Sequence, residues 1–598
     1  MVSPSAIPVR QLLVLLAVAG LLFFAGLGRL PLLEPDEGRN AEVAREMLAS
    51  GDLITPHFNS LVYLDKPAVY FWLVAASFRL WGVTEWAARF PSALMALATM
   101  LLTWFLARRM FGSAAGLWAG IMLATTPLVL VYARLVIFDM TLAFLVTLAM
   151  VSYWFAAAGN FRHAWLDVIM FGAMGLATIT KGPVGFLLPL LSILAFQAAR
   201  GRWGELRRLR WGLGALVFLA AALPWFIAVA VRNPDFPRYA LWEESLRRFA
   251  TGSSRRGGSI FYYVPVFLLG FFPWSFFLLL AGWNRVKRWR ELRQEAHKPV
   301  LFLLAWAVVI FVFFTISRSK LPGYFLPAAV PLSLLMAHVW GQMSTEGAGG
   351  RPDWLTAGFA ALMALGLLTV AAPQAFRLAS VQVGLTEKLH PKVVALMSPS
   401  LFYSGLILVA LGFLGRHLAA RRTGKTLAAS SLILLALTVP LLLLRWIEPL
   451  RIHAAASSSR GLAVTILGSP EKDFPLYGYY CFRTSLPFYL RRPVGLVTAD
   501  ASELTSNYIS RRLPELRRQA ARARSTGSAD PDPLLIDSTD LRSRARYSPR
   551  GMLVLVRNRD VQKLSQAVPH MEPLWTEWEY SVWKIPAGEG REGTGNRE

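Results

Sequence analysis

The sequence predicts an α-helical, polytopic membrane protein with about thirteen transmembrane helices and a small C-terminal α/β domain. Two observations support this fold class. The 598 residues are 55% hydrophobic and only 16% charged, and the apolar residues come in runs of roughly 17 to 23, enough to cross a bilayer. Many basic residues fall in short loops between these runs, as in the cytoplasmic loops of membrane proteins.

The composition also limits the classes of function. A net charge of +26 would suggest a nucleic-acid partner in a soluble protein. The positions of the basic residues explain the charge here, so no nucleic acid is expected. Cys481 is the single cysteine, which excludes an intramolecular disulfide and a cysteine-based metal cluster.

The apolar runs define the transmembrane elements in order along the chain. The run after Arg10 lacks a small-x-small cleavage site before the next polar segment, so we interpret it as a retained first helix. The run 67–83 carries Arg79 and Ser77 and is interpreted as a helix lying in the membrane interface. The predicted spans are 9–28, 86–107, 113–132, 138–158, 165–180, 183–199, 211–231, 260–282, 299–316, 322–341, 354–372, 400–418 and 427–446.

The loops then assign the two faces of the membrane. If the N-terminus is cytoplasmic, the densest basic loops, such as 200–210 and 285–298, lie inside. Asp36, Asp139 and the C-terminal region share the outer face, whereas counting the 67–83 run as a span would separate the two acids. We expect a membrane domain over 1–446 with an outer loop at 29–85, a soluble domain over 447–586 and a disordered tail over 587–598.

Short segments of two kinds predict the α/β character of the soluble domain. Residues 463–467, 477–482, 552–556 and 580–585 have the composition of strands. The charged stretch 509–524 lies among them and is predicted to be helical.

The first outer segment contains two adjacent acids, Asp36 and Glu37. Pro35 suits the first position of a helix, which puts both acids in the first turn, where exposed N–H groups favour carboxylates. The two acids are therefore either functional or simple helix caps, and this segment alone leaves both interpretations open.

Two more outer segments carry ionisable residues beside apolar runs. Lys66 follows Asp65 and is suited to neutralise a lipid phosphate; snorkelling or a surface ion pair is the alternative. Asp139 begins a span, where an ionisable group is costly and usually functional. A structural ion pair with Arg134 is its alternative.

The remaining outer segments add cations. Lys181 lies at a turn that the following Gly-Pro explains without any function. The segment around Glu244 and Arg248 is strongly basic for an outer loop, which suggests an anionic partner; ion pairs with its own acids are the alternative. Lys320 and Tyr324 follow in the segment 318–327. Carboxylates and cations gathered on one face suit the transfer of a group from a lipid phosphate, because cations stabilise the leaving phosphate and a carboxylate accepts a proton.

Four motifs resemble one known family, the bacterial 4-amino-4-deoxy-L-arabinose lipid A transferases, which are GT-C glycosyltransferases distantly similar to protein O-mannosyltransferases. The motifs are Pro35-Asp36-Glu37-Gly38-Arg39, Tyr63-x-Asp65-Lys66-Pro67, Gly175-x-x-Thr178-x-Thr180-Lys181-Gly182-Pro183 and Ser319-Lys320-Leu321-Pro322-x-Tyr324-x-Leu326-Pro327.

The resemblance implies an inner-membrane enzyme of GT-C fold whose active site and C-terminal domain are periplasmic. It also implies an undecaprenyl-phosphate donor carrying 4-amino-4-deoxy-L-arabinose or another pentose or hexose, inversion at the anomeric carbon and a lipid A phosphate as acceptor. We expect a monomer. Asp36 is the implied base or acceptor-orienting carboxylate and Asp139 the second acid. The implied contacts of the donor phosphate are Lys66, Arg248, Lys320 and Tyr324, and the other cavity residues are Glu37, Tyr63, Asp65, Lys181 and Glu244.

Two departures from the family pattern concern a divalent metal. The family usually has Glu where this chain has Asp65, and His where it has Ser245. A serine hydroxyl is a poor zinc ligand compared with an imidazole. Asp65 alone keeps a metal-binding carboxylate, so we do not expect a required metal.

Three other functions compete with lipid A glycosylation. A glycosyltransferase acting on protein or polysaccharide would need the same donor site. A transporter of lipid-linked sugar would also need cations for the lipid phosphate, but it predicts charges at the bilayer midplane and internal repeats, which the sequence lacks. A non-catalytic envelope assembly protein would act through the soluble domain.

Overall fold

The chain divides into two compact units. The computed structural model describes residues 8–240, 242–243, 258–286, 294–345, 353–382, 389–525, 534–548 and 550–587. We call Met1–Arg29, Lys66–Ser77 and Trp86–Arg451 the helical unit. We call Leu30–Asp65, Phe78–Glu85 and Ile452–Glu598 the sheet unit.

Most of the described chain is helical. The helices up to residue 238 are α1 Val9–Ala19, α2 Asp36–Ser50, α3 Val69–Trp81, α4 Glu85–Phe111, α5 Ser113–Ala124, α6 Pro127–Ala133, α7 Asp139–Ala158, α8 Ala164–Lys181, α9 Val184–Arg200, α10 Trp211–Arg232 and α11 Phe236–Arg238. The helices from 263 to 456 are α12 Tyr263–Gly270, α13 Trp274–Val286, α14 Lys298–Ile316, α15 Ala329–Thr345, α16 Asp353–Gln382, α17 Pro391–Arg421 and α18 Gly424–Ala456. A π-helical turn, Gly20–Phe24, extends α1, and a 3-10 helix, Pro322–Ala328, precedes α15.

These helices confirm the polytopic membrane fold. Of the described helices, nine are long and apolar enough to cross a membrane, or eleven if each of two bent pairs forms one span. The pairs are α5 with α6, bent by 65°, and α12 with α13, bent by 108°. Every predicted span coincides with one of these elements or with the shorter helices α1 and α9. The count of thirteen is reached only if α1 and α9 also cross.

Ionic contacts lie at both ends of the helices α7 to α9 in the helical unit. Lys181 ends α8 and pairs with Asp139, which begins α7. At the other ends, Arg200 of α9 pairs with Glu205 and Glu295, both at 2.8 Å. An α-helix of this length spans roughly 30 Å, so the two groups of charges are separated by the apolar middle of the helices.

A six-stranded sheet forms the centre of the sheet unit. The strands after residue 475 are β3 Leu476–Tyr479, β4 Gly495–Val497, β5 Leu535–Ile536, β6 Met552–Arg557, β7 Glu572–Thr576 and β8 Tyr580–Ile585, and a separate hairpin consists of β1 His57–Phe58 and β2 Leu61–Val62. The strand order is β5-β4-β3-β6-β8-β7. β3, β4, β5 and β6 are parallel, whereas β8 pairs antiparallel with β6 and β7.

Both faces of this sheet are covered. Along β6, Leu553 and Leu555 belong to one apolar cluster, and Val554 and Val556 belong to another. Alternate residues of a strand point to opposite faces, so β6 is buried on both sides, as in sheets flanked by helices. The helices of this part are α19 Arg460–Gly468, α20 Leu486–Leu490, α21 Asn507–Ser525, α22 Ser538–Tyr547 and α23 Val561–Ala567.

One of the segments predicted as strands is wrong. Residues 463–467 lie in helix α19, which buries Leu462, Ala463 and Ile466. Their spacing is that of one helical face, and a short apolar run does not distinguish a helix from a strand by composition alone. The segments 552–556 and 580–585 are strands, 477–482 is a strand in its first part, and 509–524 is helical.

The predicted domain boundaries stay a prediction. The sheet unit contains Leu30–Asp65 as well as the C-terminal region, so part of the first outer segment folds with residues more than 400 positions later. Residues 588–598 of the predicted tail lie outside the described part of the chain.

Candidate active site

Helix α2 places Asp36 in the sheet unit with a charged partner. Pro35 precedes the helix and Asp36 and Glu37 form its first turn, as the sequence predicts. The Asp36 side chain is 43% exposed and pairs with Arg39, one turn later. Asp36 is therefore a carboxylate that solvent or a substrate can reach, held by a cation from its own helix.

Arg39 is a buried cation. One Nη atom donates to Asp36, and Nη1 lies 3.2 Å from the carbonyl oxygen of Thr505. The guanidinium lies 5.8 Å from the centre of the Tyr63 ring. Burial lowers the pKa of Arg39, but Tyr63, Asp36 and Asp65 together raise it by more. Arg39 therefore keeps its charge and offers a buried cation to the Asp36 carboxylate.

Glu37 has a structural contact close by. It is buried, and its Oε2 accepts a hydrogen bond of 3.0 Å from the backbone N–H of Leu33. This contact ties the segment before α2 to its first turn. It agrees with the interpretation of Glu37 as a cap.

Asp65 also has a capping role, at the start of α21. It is buried; one carboxylate oxygen accepts from the Ser506 hydroxyl, and the other lies 3.2 Å from the backbone nitrogen of Tyr508. In the described part of the chain, no three His, Cys, Asp or Glu side chains are grouped to hold a metal ion. Each oxygen of Asp65 thus has a hydrogen-bond donor within the protein, and binding of a divalent metal here stays a prediction to be tested.

Asp139, Lys181 and Tyr324 come together in the helical unit. Lys181 Nζ lies 2.6 Å from Asp139 Oδ1, and the two side chains are 13% and 6% exposed. The same ammonium lies 4.7 Å from the centre of the Tyr324 ring. Asp139 is the first residue of α7, where the helix N-terminus also favours a negative charge. Two of the sequence motifs and the start of α7 thus contribute to one charged group.

The alternative partner of Asp139 has a different contact. The guanidinium of Arg134 donates to the carbonyl oxygens of Leu22 and Ala25, at 3.0 and 2.8 Å. Carbonyl groups at a helix end lack partners within the helix. Arg134 therefore satisfies the end of the first helix, and the ion pair of Asp139 is made with Lys181.

Lys320 is engaged by backbone carbonyl groups. It is buried, and its Nζ donates to the carbonyl oxygens of Phe314 and Thr315, at 2.9 and 2.6 Å. These carbonyls belong to the last turn of α14, where a cation is favoured. Lys181 is paired with a carboxylate, whereas Lys320 is bound by carbonyl oxygens.

The other predicted residues fall in three places. Tyr63 is buried in the sheet unit beneath Arg39. Lys66 is half-buried just before α3. Glu244, Ser245 and Arg248 lie outside the described residues. Asp36 and Asp139 belong to different units, so their joint role stays a prediction.

Sequence reasoning missed two residues beside these acids. A Cβ atom on Gly323 would lie 2.5 Å from Asp139 Oδ1, so the absence of a side chain makes room for the acid. Glu34 precedes the Pro-Asp motif and bonds to residues 459, 484 and 485. Gly323 occupies the position written x between Pro322 and Tyr324 in the fourth motif, and its closeness to Asp139 is visible only in the fold.

Comparisons with known proteins agree with the motifs. A family model described as dolichyl-phosphate-mannose-protein mannosyltransferase matches residues 65–227. The undecaprenyl phosphate-alpha-4-amino-4-deoxy-L-arabinose arabinosyl transferase of Pseudomonas aeruginosa UCBPP-PA14 is 35% identical over 336 residues, which is 55% of this chain and 59% of that protein. The transferase of the same name from Edwardsiella ictaluri is 36% identical over 52% of this chain and 55% of its own length.

The structural likeness extends further than the sequence alignments. The chain spans somewhat more than half the length of the curated relatives it matches. The crystal structure of ArnT from Cupriavidus metallidurans bound to undecaprenyl phosphate matches 98% of this chain and 100% of that one, with a TM-score of 0.78 and 26% identity. Its apo form matches with a TM-score of 0.77. The resemblance indicated by the motifs is confirmed: the chain is similar to ArnT in sequence and in fold, and it is an integral membrane protein with the predicted GT-C fold.

Proposed function

We propose that this chain is an inverting glycosyltransferase that moves 4-amino-4-deoxy-L-arabinose from undecaprenyl phosphate to a phosphate of lipid A. The observation that carries the proposal is the match, over nearly the whole chain, to ArnT bound to undecaprenyl phosphate. The names of the curated relatives support the same donor sugar.

The proposed reaction forms one bond and breaks another at the anomeric carbon. An oxygen of the acceptor bonds to this carbon, and the bond from the carbon to the undecaprenyl phosphate oxygen breaks. The bonding electrons leave with the phosphate, so cations near that oxygen stabilise the transition state. Lys66, Lys181, Arg248 and Lys320 are the candidate cations, and the hydroxyl of Tyr324 is a further candidate contact of the phosphate. In the structure Lys320 binds two carbonyl oxygens and Lys181 pairs with Asp139.

Asp36 has two roles in this proposal, depending on the acceptor. A hydroxyl acceptor must lose a proton, and a nearby carboxylate can accept it. A phosphate acceptor is already ionised, so Asp36 then mainly orients groups around the anomeric carbon. The exposure of Asp36 and its pairing with Arg39 suit either role, because the carboxylate is accessible and is held in place by a cation.

The proposal includes the location of the enzyme. We place the protein in the bacterial inner membrane as a monomer, with the active site and the C-terminal region on the periplasmic side. Membrane lipids are then its partners, as donor and acceptor.

Replacement of Asp36 by Asn tests the proposal. Membranes containing Asp36→Asn should transfer no sugar to lipid A, as measured by mass spectrometry, while the purified protein still binds undecaprenyl phosphate. Asp473→Asn is the matched control, because Asp473 is an exposed acid of the same unit away from the motifs. Unchanged transfer by Asp36→Asn would remove Asp36 from the mechanism.

A protein acceptor is the second candidate. The match of residues 65–227 to a family described by protein mannosyl transfer supports it. Sugar on envelope proteins, together with unmodified lipid A, would favour this candidate in the same mass spectrometry experiment. Sugar on lipid A alone would favour the main proposal.

A further inference from the structure

Glu34 lies two residues before Asp36, and hydrogen-bond donors surround its carboxylate. Oε2 accepts from the backbone N–H of Thr484 at 2.6 Å. Oε1 accepts from the N–H of Ser485 at 2.9 Å and from the hydroxyl of Ser459 at 3.0 Å. Arg483 Nε lies 3.8 Å from Oε1. This set of donors suits an ionised carboxylate, which only accepts hydrogen bonds.

The backbone on either side of the Glu34 side chain is also bonded. The N–H of Glu34 lies 3.2 Å from the carbonyl oxygen of Ser457. The hydroxyl of Thr484 lies 2.6 Å from the carbonyl oxygen of Pro35, so this hydroxyl is shared between Pro35 and Glu34. The two residues before Asp36 are therefore fixed by side-chain and backbone bonds at once.

The first turn of α2 lies directly against the same segment. A Cβ atom on Gly38 would be 2.5 Å from the backbone nitrogen of Ser485, a distance that only glycine avoids. One turn of helix thus carries Asp36 and contacts residues 484–485 at Glu34, Pro35 and Gly38. All of these residues belong to the sheet unit.

We infer that Glu34 is a positioning residue, which sets the place of the Asp36 carboxylate by binding the C-terminal residues Ser459, Thr484 and Ser485. The inference rests on the proposed function, since Asp36 is the acid it positions. Glu34 touches no substrate in this role. A shift of about 1 Å in a catalytic group can lower the rate about 100-fold. Loss of this anchor should therefore lower kcat, while the affinity for undecaprenyl phosphate stays the same.

The test compares Glu34→Gln with Glu471→Gln in the full-length protein, in lipid nanodiscs. Glutamine has one acceptor oxygen and an amide group that donates, so it cannot satisfy both Thr484 and Ser485. Glu34→Gln should lower kcat for sugar transfer to lipid A about 10- to 100-fold without changing the affinity for undecaprenyl phosphate. Glu471→Gln removes an ion pair with Lys584 in the same unit and should keep the wild-type kcat.

Two substitutions of Thr484 examine the anchor from the other side. Thr484→Ser keeps both the hydroxyl and the N–H and should turn over like the wild type. Thr484→Val removes the hydroxyl, and its kcat for sugar transfer should lie between those of the wild type and of Glu34→Gln.

Each contrary result has a separate meaning. A Glu34→Gln protein with the kcat of Glu471→Gln, while the wild type transfers sugar, overturns the positioning role alone. Loss of undecaprenyl phosphate binding and of folded protein in parallel with kcat also overturns it, because Glu34 would then support the scaffold in general. Wild-type protein that transfers no sugar overturns the proposed function, and the positioning role with it.

Discussion

Asp139 and Lys181 form a buried ion pair, and its environment limits what can change nearby. The side chains are 6% and 13% exposed. Loss of one member of a buried pair costs about 3–5 kcal/mol, because the other charge stays without compensation. The pair therefore depends on groups that leave room for both side chains.

Gly323 leaves room for the Asp139 side chain, so a larger residue at this position should disturb the ion pair. A Cβ atom at this position would lie 2.5 Å from Asp139 Oδ1 and 2.5 Å from the Tyr132 ring. Gly323→Ala should therefore displace Asp139, lower sugar transfer by about 100-fold and reduce the free energy of unfolding by about 1–3 kcal/mol. Turnover assays and thermal unfolding of the purified protein measure both effects.

Gly341→Ala provides the control for Gly323→Ala. The nearest atom to its Cβ is in Trp118, at 3.7 Å, an ordinary contact distance. Both substitutions add one methyl group to the same apolar part of the chain. Equal turnover of the two variants would mean that Gly323 does not position Asp139.

Single residues were predictable from sequence where the chemistry is local. Asp139 stood out because an acid begins an apolar span, and Glu37 because it follows a helix-starting proline. Partners were not predictable, because they are distant in sequence: Lys181 is 42 positions from Asp139, whereas the expected partner Arg134 is five positions away. Only the packing of α7 on α8 decides between the two cations.

Helix α2 carries three ionisable side chains, those of Glu42, Arg45 and Glu46, close together on one face. Glu42 is fully buried and accepts two hydrogen bonds from Arg45, at 2.6 and 2.7 Å. Glu46, one turn later, accepts from the backbone N–H of Ser60 at 3.0 Å. Burial, followed by the effect of Glu42, raises the pKa of Glu46 to about 8. Two carboxyl groups and one guanidinium thus share a single face of the helix.

This arrangement predicts how the stability of the sheet unit depends on pH. The folded protein holds the Glu46 proton more tightly than the unfolded chain does. The contribution of Glu46 to the free energy of unfolding is therefore complete below the usual glutamate pKa of 4.5, and it is lost as the pH rises through about 8. Glu46→Gln should flatten this fall while it keeps an acceptor for Ser60. Thermal unfolding at several pH values measures the difference.

Glu572→Gln is the control for the titration of Glu46. Glu572 is an exposed acid at the start of β7. The Glu572→Gln protein should therefore show the same dependence of stability on pH as the wild type. If Glu46→Gln and wild-type protein lose stability equally between these pH values, the folded protein does not raise the pKa of Glu46.

At the scale of elements, the membrane helices were predictable and the C-terminal strands only in part. Long apolar runs and helix-starting prolines are strong local signals, so each predicted span coincides with a helix or a bent pair. Residues 463–467 were assigned to the wrong element because a segment of five residues, four of them apolar, is too short to distinguish a helical period from a strand period. The 108° bend between α12 and α13 also had no counterpart in the prediction of one span over 260–282.

The whole molecule is built from two units that each draw on separated stretches of chain. The sheet unit joins Leu30–Asp65 to the C-terminal region. No local sequence pattern predicts that Leu30–Asp65 folds with the C-terminal region. The sequence alone therefore assigned 29–85 to the membrane domain. The orientation of these units across the membrane is part of the proposal and can be tested directly.

Cysteine labelling tests that orientation. Cys481 is buried, and burial raises the pKa of its thiol to about 12, so it should react little with a maleimide. Leu53 and Trp203 are 52% and 54% exposed. Leu53→Cys should react with a membrane-impermeant maleimide from the periplasm of intact cells, and Trp203→Cys only after the inner membrane is broken. The reverse result, or labelling of both from one side, would contradict the proposed topology.

The bonds of Glu34 to Thr484 and Ser485 have a consequence for biosynthesis. The ribosome makes Asp36 early and Thr484 late, and at typical rates of synthesis roughly 20 to 90 seconds separate the two. A chain interrupted between Ala456, the end of α18, and Thr484 contains both acids and the described apolar helices, yet it lacks Thr484 and Ser485, which bind Glu34. Incomplete translation products should therefore insert into the membrane without becoming active, so that the last quarter of the gene decides whether the first acid can work.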